Sequence, residues 1–294
     1  MNPPGTPAWY DEQYNNRARI PEHPAILQRW ADTSAAAYAS LDTRLDLRYG
    51  DAAGEALDIF PAAGRGAPVL VYLHGGYWRA LGKSDQAFVA PPFVRAGAMV
   101  VLLDYALCPA VSMEHIVRQT IRALVWVHRH AAEHGGDPRR IVVAGHSAGG
   151  HLATMLLACR WPQVEPGLPG RLVHSALSIS GVYELEPLRH APFLAADIGL
   201  DAASAVRLSP ASMPAPHGPL AAVVGANESE EFLRQNALIR STWGGRVVPV
   251  CEALPGRHHM DVLDDLIHPG ALLHHIARDL LGIGAGSTAA ATPA

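Results

Sequence analysis

Residues 141–158, IVVAGHSAGGHLATMLLA, place a serine between glycines where one apolar segment meets another. The first segment has the composition of a buried strand, and the second has helical spacing. A strand that turns sharply into a helix needs glycines beside the turning residue, because side chains there would collide with neighbouring backbone. The pattern predicts that Ser147 is an exposed nucleophile, with a helix N-terminus behind it that favours negative charge. An ordinary glycine turn is the alternative.

A serine hydroxyl is a poor nucleophile at neutral pH and needs a base that is itself oriented by an acid. The strand-like segment RVVPVCEAL is followed by two adjacent candidates for the base, His258 and His259. The strand-like segment before it, PLAAVVG, is followed by three candidates for the acid, Glu228, Glu230 and Glu231. The residues alone do not separate these candidates. The order nucleophile, acid, base along the chain is an order that serine hydrolases on parallel sheets use.

A third group of residues could hold the charge of a tetrahedral intermediate. The strand-like segment PVLVYLHGG runs into His74-Gly75-Gly76-Tyr77-Trp78. Small residues at this point let backbone N–H groups turn toward the nucleophile, and together with the N–H of Ala148 they would form an oxyanion hole. A plain glycine turn is again the alternative.

The elements that position these residues alternate between short β-branched runs and longer segments of helical period. This alternation predicts an α/β fold with a mostly parallel central sheet flanked by helices. Eight strands are predicted, of which the first two form an antiparallel pair: residues 44–50, 56–60, 68–76, 98–105, 140–147, 173–180, 219–226 and 246–254. Four helices are predicted: residues 112–135, 149–160, 228–243 and 260–282.

Residues 1–281 are expected to form a single domain. Pro- and Ala-rich material over residues 183–219 interrupts the alternation and reads as a cap over the carboxyl edge of the sheet. The N-terminal residues 1–40 are expected to contribute to the same cap. The last residues, 282–294, are small and polar and are expected to form a flexible tail.

Composition excludes several classes of protein. The chain has 294 residues, 49% of them hydrophobic and 17% charged, and a formal net charge of -4 without a basic cluster, so we expect neither nucleic acid nor a membrane as a partner. The N-terminus lacks a secretory pattern and the three cysteines are far apart, which favours a cytoplasmic protein with free thiols. The sixteen histidines lack the spacing of a metal site and no glycine-rich phosphate loop is present, so no cofactor is predicted.

Five motifs in order resemble the kynurenine formamidase (arylformamidase) group of α/β-hydrolases, relatives of the hormone-sensitive-lipase-like esterases: HGGYW, GHSAGGHLA, SGVYELEPL, ANESEEFLRQ and GRHHMDVLDDL. Two N-terminal stretches, WYDEQYNNR and LRYGDAAGEALDIFPA, are similar to the same group. The resemblance therefore covers roughly residues 8 to 280. It implies an α/β-hydrolase fold and a serine hydrolase activity.

Carried over by position, the resemblance makes Ser147 the nucleophile, Glu228 the acid and His259 the base. Glu228 stands four residues before Phe232, where many family members carry Asp, and His259 directly precedes Met260. Aspartate and glutamate side chains both ionise well below pH 7, so Glu228 retains the role of the acid. The oxyanion donors that the resemblance implies are the N–H groups of Gly76, Tyr77 and Ala148.

The substrate class follows less directly from the sequence. Hydrolysis of carboxylic esters with small or medium acyl groups is the first reading, hydrolysis of aryl formamides such as N-formylkynurenine is the second, and a binding module without catalysis is the third. Four side chains are expected to line a substrate pocket, with core packing as the alternative: Trp78, His151, Tyr183 and Phe193. The expected partner is a small-molecule ester or formamide, and the sequence leaves a homodimer open.

Overall fold

An eight-stranded sheet organises the structure, a computed structural model that describes residues 2–52 and 54–284. The strand order is β1-β2-β4-β3-β5-β6-β7-β8. Strands β3 to β8 run parallel, and β1 and β2 join one edge antiparallel. The strands are β1 Arg44–Arg48, β2 Ala56–Phe60, β3 Ala67–Leu73, β4 Met99–Leu103, β5 Gly136–His146, β6 Val173–Ile179, β7 Leu220–Gly225 and β8 Val250–Leu254.

Helices cover both faces of the sheet, as the near-continuous apolar runs of β3, β4 and β5 require. The α-helices are α1 Pro7–Tyr14, α2 Asn16–Arg19, α3 His23–Ser40, α4 Ala90–Arg95, α5 Met113–His130, α6 Ala148–Ala158, α7 Trp161–Val164, α8 Pro192–Ile198, α9 Ala202–Arg207, α10 Glu230–Trp243, α11 Val262–Ile267 and α12 Leu272–Leu281. Four short 3-10 helices occupy Lys83–Val89, Ala131–His134, Glu186–His190 and Pro210–Ser212.

Two hydrophobic clusters lie on opposite faces of the sheet. On one face, Val71 and Val143 belong to a cluster that includes Leu152 of α6, the helix that follows Ser147. On the other face, Val100 and Val142 belong to a cluster that includes side chains of α3, α11 and α12. Because successive strand residues point to opposite faces, the apolar runs of the central strands supply both clusters at once.

The predicted fold class is confirmed. All eight predicted strands are present, and β1 pairs antiparallel with β2. The helix predicted over residues 260–282 is wrong as a single element, because it is two helices separated at Pro269–Gly270, where a proline and a glycine break helical hydrogen bonding. The N-terminal helix α3 was not among the predicted helices.

The two segments predicted to form a cap contact each other. The backbone N–H of Phe193 donates to Asp11 Oδ1 at 3.0 Å, and the ring of Tyr10 stacks on His190 with centroids 5.5 Å apart. The division into a body and a cap stays a prediction. Most of the predicted tail, residues 285–294, lies outside the described residues.

Two further features bear on the sequence-based expectations. Cys108, Cys159 and Cys251 are free thiols, and burial raises the pKa of Cys108 and Cys159 to about 11. Among the described residues, none of the helices combines the length and the apolar character needed to cross a bilayer.

Candidate active site

Ser147 occupies the turn between β5 and α6 in a strained backbone conformation, with φ 57° and ψ -118°. The two flanking glycines make this turn sterically feasible. A Cβ at Gly145 would lie 2.2 Å from the carbonyl oxygen of Gly149, and a Cβ at Gly149 would lie 2.0 Å from that of Leu73. Positive φ at a non-glycine residue is a conformation that the surroundings must impose. The turn therefore holds Ser147 at the carboxyl edge of the sheet, where ligands bind in open α/β folds.

The candidate base and acid form a direct hydrogen bond. His259 Nδ1–H donates to Glu228 Oε2 at 2.6 Å, and both residues are buried. The neighbouring His258 faces away, with Nε2 3.3 Å from Glu22. Of the other two acids, Glu230 is exposed, and Glu231 accepts from the hydroxyl of Tyr14 at 2.6 Å. The geometry thus pairs one histidine with one carboxylate out of the six combinations that the sequence leaves open.

Two further donors fix the carboxylate of Glu228. Its Oε1 accepts from Ser180 Oγ at 2.5 Å and from the backbone N–H of Gly225 at 2.8 Å. Ser180 follows β6 with φ 50°, so it is a second residue in a strained conformation at this edge. With the bond from His259, the carboxylate has three donors, which compensates a buried charge for the loss of water.

His146, directly before the nucleophile, supports the loop that carries the base. Its Nε2 lies 2.6 Å from the carbonyl oxygen of His259, and since a carbonyl only accepts, Nε2 carries the proton. Burial holds the pKa of His146 well below its usual range. A neutral His146 therefore ties the β5 turn to the loop after β8.

The HGGYW turn after β3 is also strained, with φ of 103° at Gly76, 51° at Tyr77 and 55° at Trp78. A Cβ at Gly76 would lie 2.1 Å from the carbonyl oxygen of Ala80, so only glycine fits there. In the part of the chain that the structure describes, the N–H groups of Gly76, Tyr77 and Ala148 donate no hydrogen bond. They remain free for an oxyanion.

A cavity of about 660 Å³, including its open mouth, joins these groups. It is lined by Asn15, Asn16, Arg17, Leu27, Trp30, Gly76, Tyr77, Arg79, Ala80, Leu81, Gln86, His146, Ser147, Phe193, His259 and Met260. Ser147, His259 and part of the HGGYW turn therefore share one space. Within residues 2–52 and 54–284, no hydrogen bond joins Ser147 to the imidazole of His259; such contacts often form only when substrate binds.

The predicted substrate-binding residues separate into two groups. Phe193 lines the cavity, where its ring meets Tyr77 edge-on with centroids 5.5 Å apart. Trp78, His151 and Tyr183 do not fit the expectation, because each is fully buried in the interior and none lines the cavity. Two of the three bond to the core instead: His151 Nε2–H donates to Leu208 O at 2.7 Å, and the Tyr183 hydroxyl donates to Ser178.

Several residues of the site escaped the reading of the sequence. Ser180 follows a strand, as the candidate acids do, and the segment SGVYELEPL contains it, so a search for polar residues after each parallel strand finds it. Asn16, Trp30 and Gln86 carry no such signal, because they reach the cavity from helices that are distant in sequence. In the described ranges, no group of three or more metal-ligating side chains is arranged around a common point.

Comparison with known proteins shows similarity to α/β-hydrolases in sequence and in structure. A sequence profile of the α/β-hydrolase fold matches residues 70–208. A kynurenine formamidase from Salmo salar is 30% identical over 254 residues, which cover 82% of each chain. Esterase LipQ from Mycobacterium tuberculosis is 36% identical over 149 residues, 48% of this chain and 35% of its own. A crystal structure from a Silicibacter species superposes with a TM-score of 0.79 at 30% identity, covering 93% of this chain and 97% of the other.

Proposed function

This chain belongs to the α/β-hydrolases, in the group related to kynurenine formamidases and hormone-sensitive-lipase-like esterases, and from that premise we propose a serine hydrolase that cleaves carboxylic esters of small or medium acyl groups. The protein is an enzyme of the hydrolase type. We further propose a serine mechanism for it, the residues that carry this mechanism and the class of substrate.

In the proposed mechanism, Ser147 Oγ attacks the ester carbonyl while His259 Nε2 takes its proton. Glu228 accepts the Nδ1–H of the imidazolium that forms and holds the ring in the correct tautomer. The N–H groups of Gly76, Tyr77 and Ala148 bind the oxyanion. His259 then gives the proton to the leaving alcohol, and water releases the acyl group from Ser147 by the same steps in reverse.

One observation carries this proposal: a serine on a strained strand-to-helix turn shares a cavity with a histidine that is hydrogen-bonded to a buried carboxylate. A purely structural role would not require the strain. Nor would it require amides left free beside the serine, since buried N–H groups are normally bonded.

Hydrolysis of an aryl formamide is the second candidate. It is supported by the similarity to kynurenine formamidase, which spans 82% of both chains, and by the aromatic rings of Trp30, Tyr77 and Phe193 in the cavity wall. Esters and formamides use the same acyl-transfer groups, so the triad does not separate them. A binding module without catalysis, the third interpretation of the sequence, is set aside, because the chain is an enzyme of the hydrolase type and retains the three proposed triad positions.

The test is steady-state kcat/KM on p-nitrophenyl esters from acetate to octanoate and on N-formylkynurenine, with Ser147→Ala as the blank. We expect Ser147→Ala to lower turnover by about 10⁴-fold or more, as loss of a triad nucleophile does. A maximum at one acyl length would support the carboxylesterase. A formamide value above every ester would replace it with the second candidate, and activity retained in Ser147→Ala would contradict the mechanism.

A further inference from the structure

Three polar side chains in the cavity wall have no hydrogen-bond partner among the described residues. The orphaned atoms are Asn16 Nδ2, Trp30 Nε1 and both amide atoms of Gln86. The side chains belong to residues that are only 5%, 3% and 1% exposed, in that order. They come from three separate elements, α2, α3 and the 3-10 helix Lys83–Val89, yet all three line the cavity of Ser147 and His259.

Buried polar groups without partners are rare, because each gives up its bonds to water without replacement. Within the described ranges, orphaned buried atoms also occur away from the cavity, on Tyr72, His74, Trp78, Gln119, His151, Ser175 and Asn236. Asn16, Trp30 and Gln86 are the three such residues that line the cavity of Ser147.

Two of the three lie on the side of the base. Asn16 also lines a smaller cavity together with Glu228, His258 and His259. The ring of Trp30 meets that of His146 edge-on at 6.4 Å between centroids, and the ring of His146 lies 4.7 Å from that of His259. Because His259 delivers its proton to the leaving group in the proposed mechanism, groups beside it face the leaving group rather than the acyl group.

We propose that Asn16, Trp30 and Gln86 form a polar leaving-group subsite, which selects substrates whose leaving group carries carbonyl oxygens and an N–H or O–H. This inference rests on the proposed function and deepens it. The orphaned atoms comprise three donors and one acceptor, the acceptor being Gln86 Oε1. An amide-bearing ring matches that set, whereas an alkyl group would leave every one of these atoms unpaired.

The test uses two esters with the same acyl group and nearly the same shape. In meta-carbamoylphenyl acetate the leaving group carries an amide, and in meta-isopropenylphenyl acetate it carries an apolar group of similar size. Gln86→Met, Trp30→Phe and Asn16→Leu each remove the polar atoms and keep most of the volume. Gln163→Met, at an exposed position outside the cavity, is the matched control.

We expect each of the three variants to lower the ratio of kcat/KM for the carbamoyl ester to that for the isopropenyl ester by about tenfold, the cost of leaving a substrate polar group unpaired. Comparing each variant with the parent on the same ester cancels the intrinsic reactivity of the leaving group. The control should leave the ratio unchanged. The subsite would be overturned if, in every variant that folds, kcat/KM changed by the same factor for both esters or did not change.

A binding measurement separates failure of the subsite from failure of the proposed function. Calorimetry with Ser147→Ala compares meta-hydroxybenzamide with meta-isopropenylphenol, the two leaving groups, without any turnover. Tighter binding of the benzamide by about tenfold, lost in Ser147→Ala combined with Gln86→Met, supports the subsite even if neither ester is hydrolysed. Ester hydrolysis that depends on Ser147, together with equal binding of the two phenols, retains the proposed function and overturns the subsite.

Discussion

Two buried glutamines show how differently the interior of this protein treats the same side chain. Gln235, on α10, is 0% exposed, and its Oε1 accepts from the backbone N–H groups of Tyr183 and Glu184 at 2.8 and 2.9 Å. Its Nε2 donates to Tyr14 Oη and to the carbonyl of Glu184. Gln86 is 1% exposed, and within residues 2–52 and 54–284 neither of its amide atoms has a partner.

The same contrast separates two groups of residues around the cavity. In the first, the bonded side, the carboxylate of Glu228 has three donors, and His146 bonds to the loop of His259. In the second, the unbonded wall, Asn16, Trp30 and Gln86 carry buried polar atoms without a partner among the described residues. Fully bonded groups hold the reacting atoms in one geometry before substrate arrives, whereas unbonded groups retain their capacity for substrate.

After Ser147→Ala, the largest expected effect is on the bonded side. Replacing Glu228 by Gln removes the charge that stabilises the imidazolium, so we expect kcat to fall on the order of a hundredfold or more. KM should change little, because the carboxylate does not line the main cavity. The measurement is steady-state kinetics on the best p-nitrophenyl ester.

The matched control for this substitution is Glu230→Gln, at an exposed position two residues away. It should retain the parent kcat. A comparable loss in Glu230→Gln or Glu231→Gln, with Glu228→Gln active, would move the acid to another glutamate.

The second prediction concerns the protonation of two buried histidines. Burial lowers the pKa of His74 and His151 to about 4. The unfolded chain takes up these protons near pH 6.5 and the folded chain does not, so the free energy of unfolding falls as pH drops from 6.5 toward 4. Between pH 7 and pH 5 each of these histidines should lower the free energy of unfolding by about 2 kcal/mol, which urea denaturation measures.

The variant His151→Gln tests whether His151 causes part of this pH dependence. His151→Gln keeps a donor for the carbonyl of Leu208 but removes the titrating ring, so its fall between pH 7 and pH 5 should be about 2 kcal/mol smaller than that of the parent. His115→Gln, at an exposed position, is the control and should behave like the parent. An unchanged fall in His151→Gln would show that this ring titrates normally in the folded state.

The third prediction isolates one donor to the acid. Ser180→Ala removes the 2.5 Å hydrogen bond to Glu228 Oε1, and we expect kcat to fall about tenfold, since a bond to a charged group is worth about 1.5–3 kcal/mol. Ser175→Ala is the matched control, because Ser175 is a buried serine of β6, the strand that Ser180 follows, and its hydroxyl has no partner among the described residues. Equal kcat in both variants would leave Ser180 without a role in orienting the acid.

The sequence predicts the bonded side of this comparison well. Ser147, the acids and the histidines all follow parallel strands, and the carboxyl ends of such strands meet at one edge, so the motif order alone brings them together. The residues alone do not decide which histidine pairs with which carboxylate. His258 and His259 are adjacent, and only the folded loop sets which of the two rings points inward. The resemblance to the formamidase group named the pair that the geometry shows.

The unbonded wall could not be predicted in the same way. Asn16 and Trp30 come from the N-terminal helices α2 and α3, and Gln86 from the 3-10 helix Lys83–Val89. Their convergence depends on how the N-terminal segment packs on the sheet, with contacts such as the hydrogen bond from Tyr77 Oη to the carbonyl of Tyr14 at 2.5 Å. Trp78 is the opposite case: its place in the HGGYW turn suggests a pocket residue, but the structure buries it in the core.

The smallest expected effect is one of stability, and it has opposite signs at the two glutamines. Gln86→Met replaces orphaned polar atoms with an apolar chain of similar volume, so the free energy of unfolding should rise by about 1 kcal/mol. Gln235→Met is the matched variant at equal burial; it leaves two backbone N–H groups and a carbonyl unpaired, so it should lower that free energy. Urea denaturation of both variants measures the difference. A loss at both positions would mean that Gln86 is bonded in the folded protein, by a water for instance, and that the cavity wall is as fully bonded as the triad.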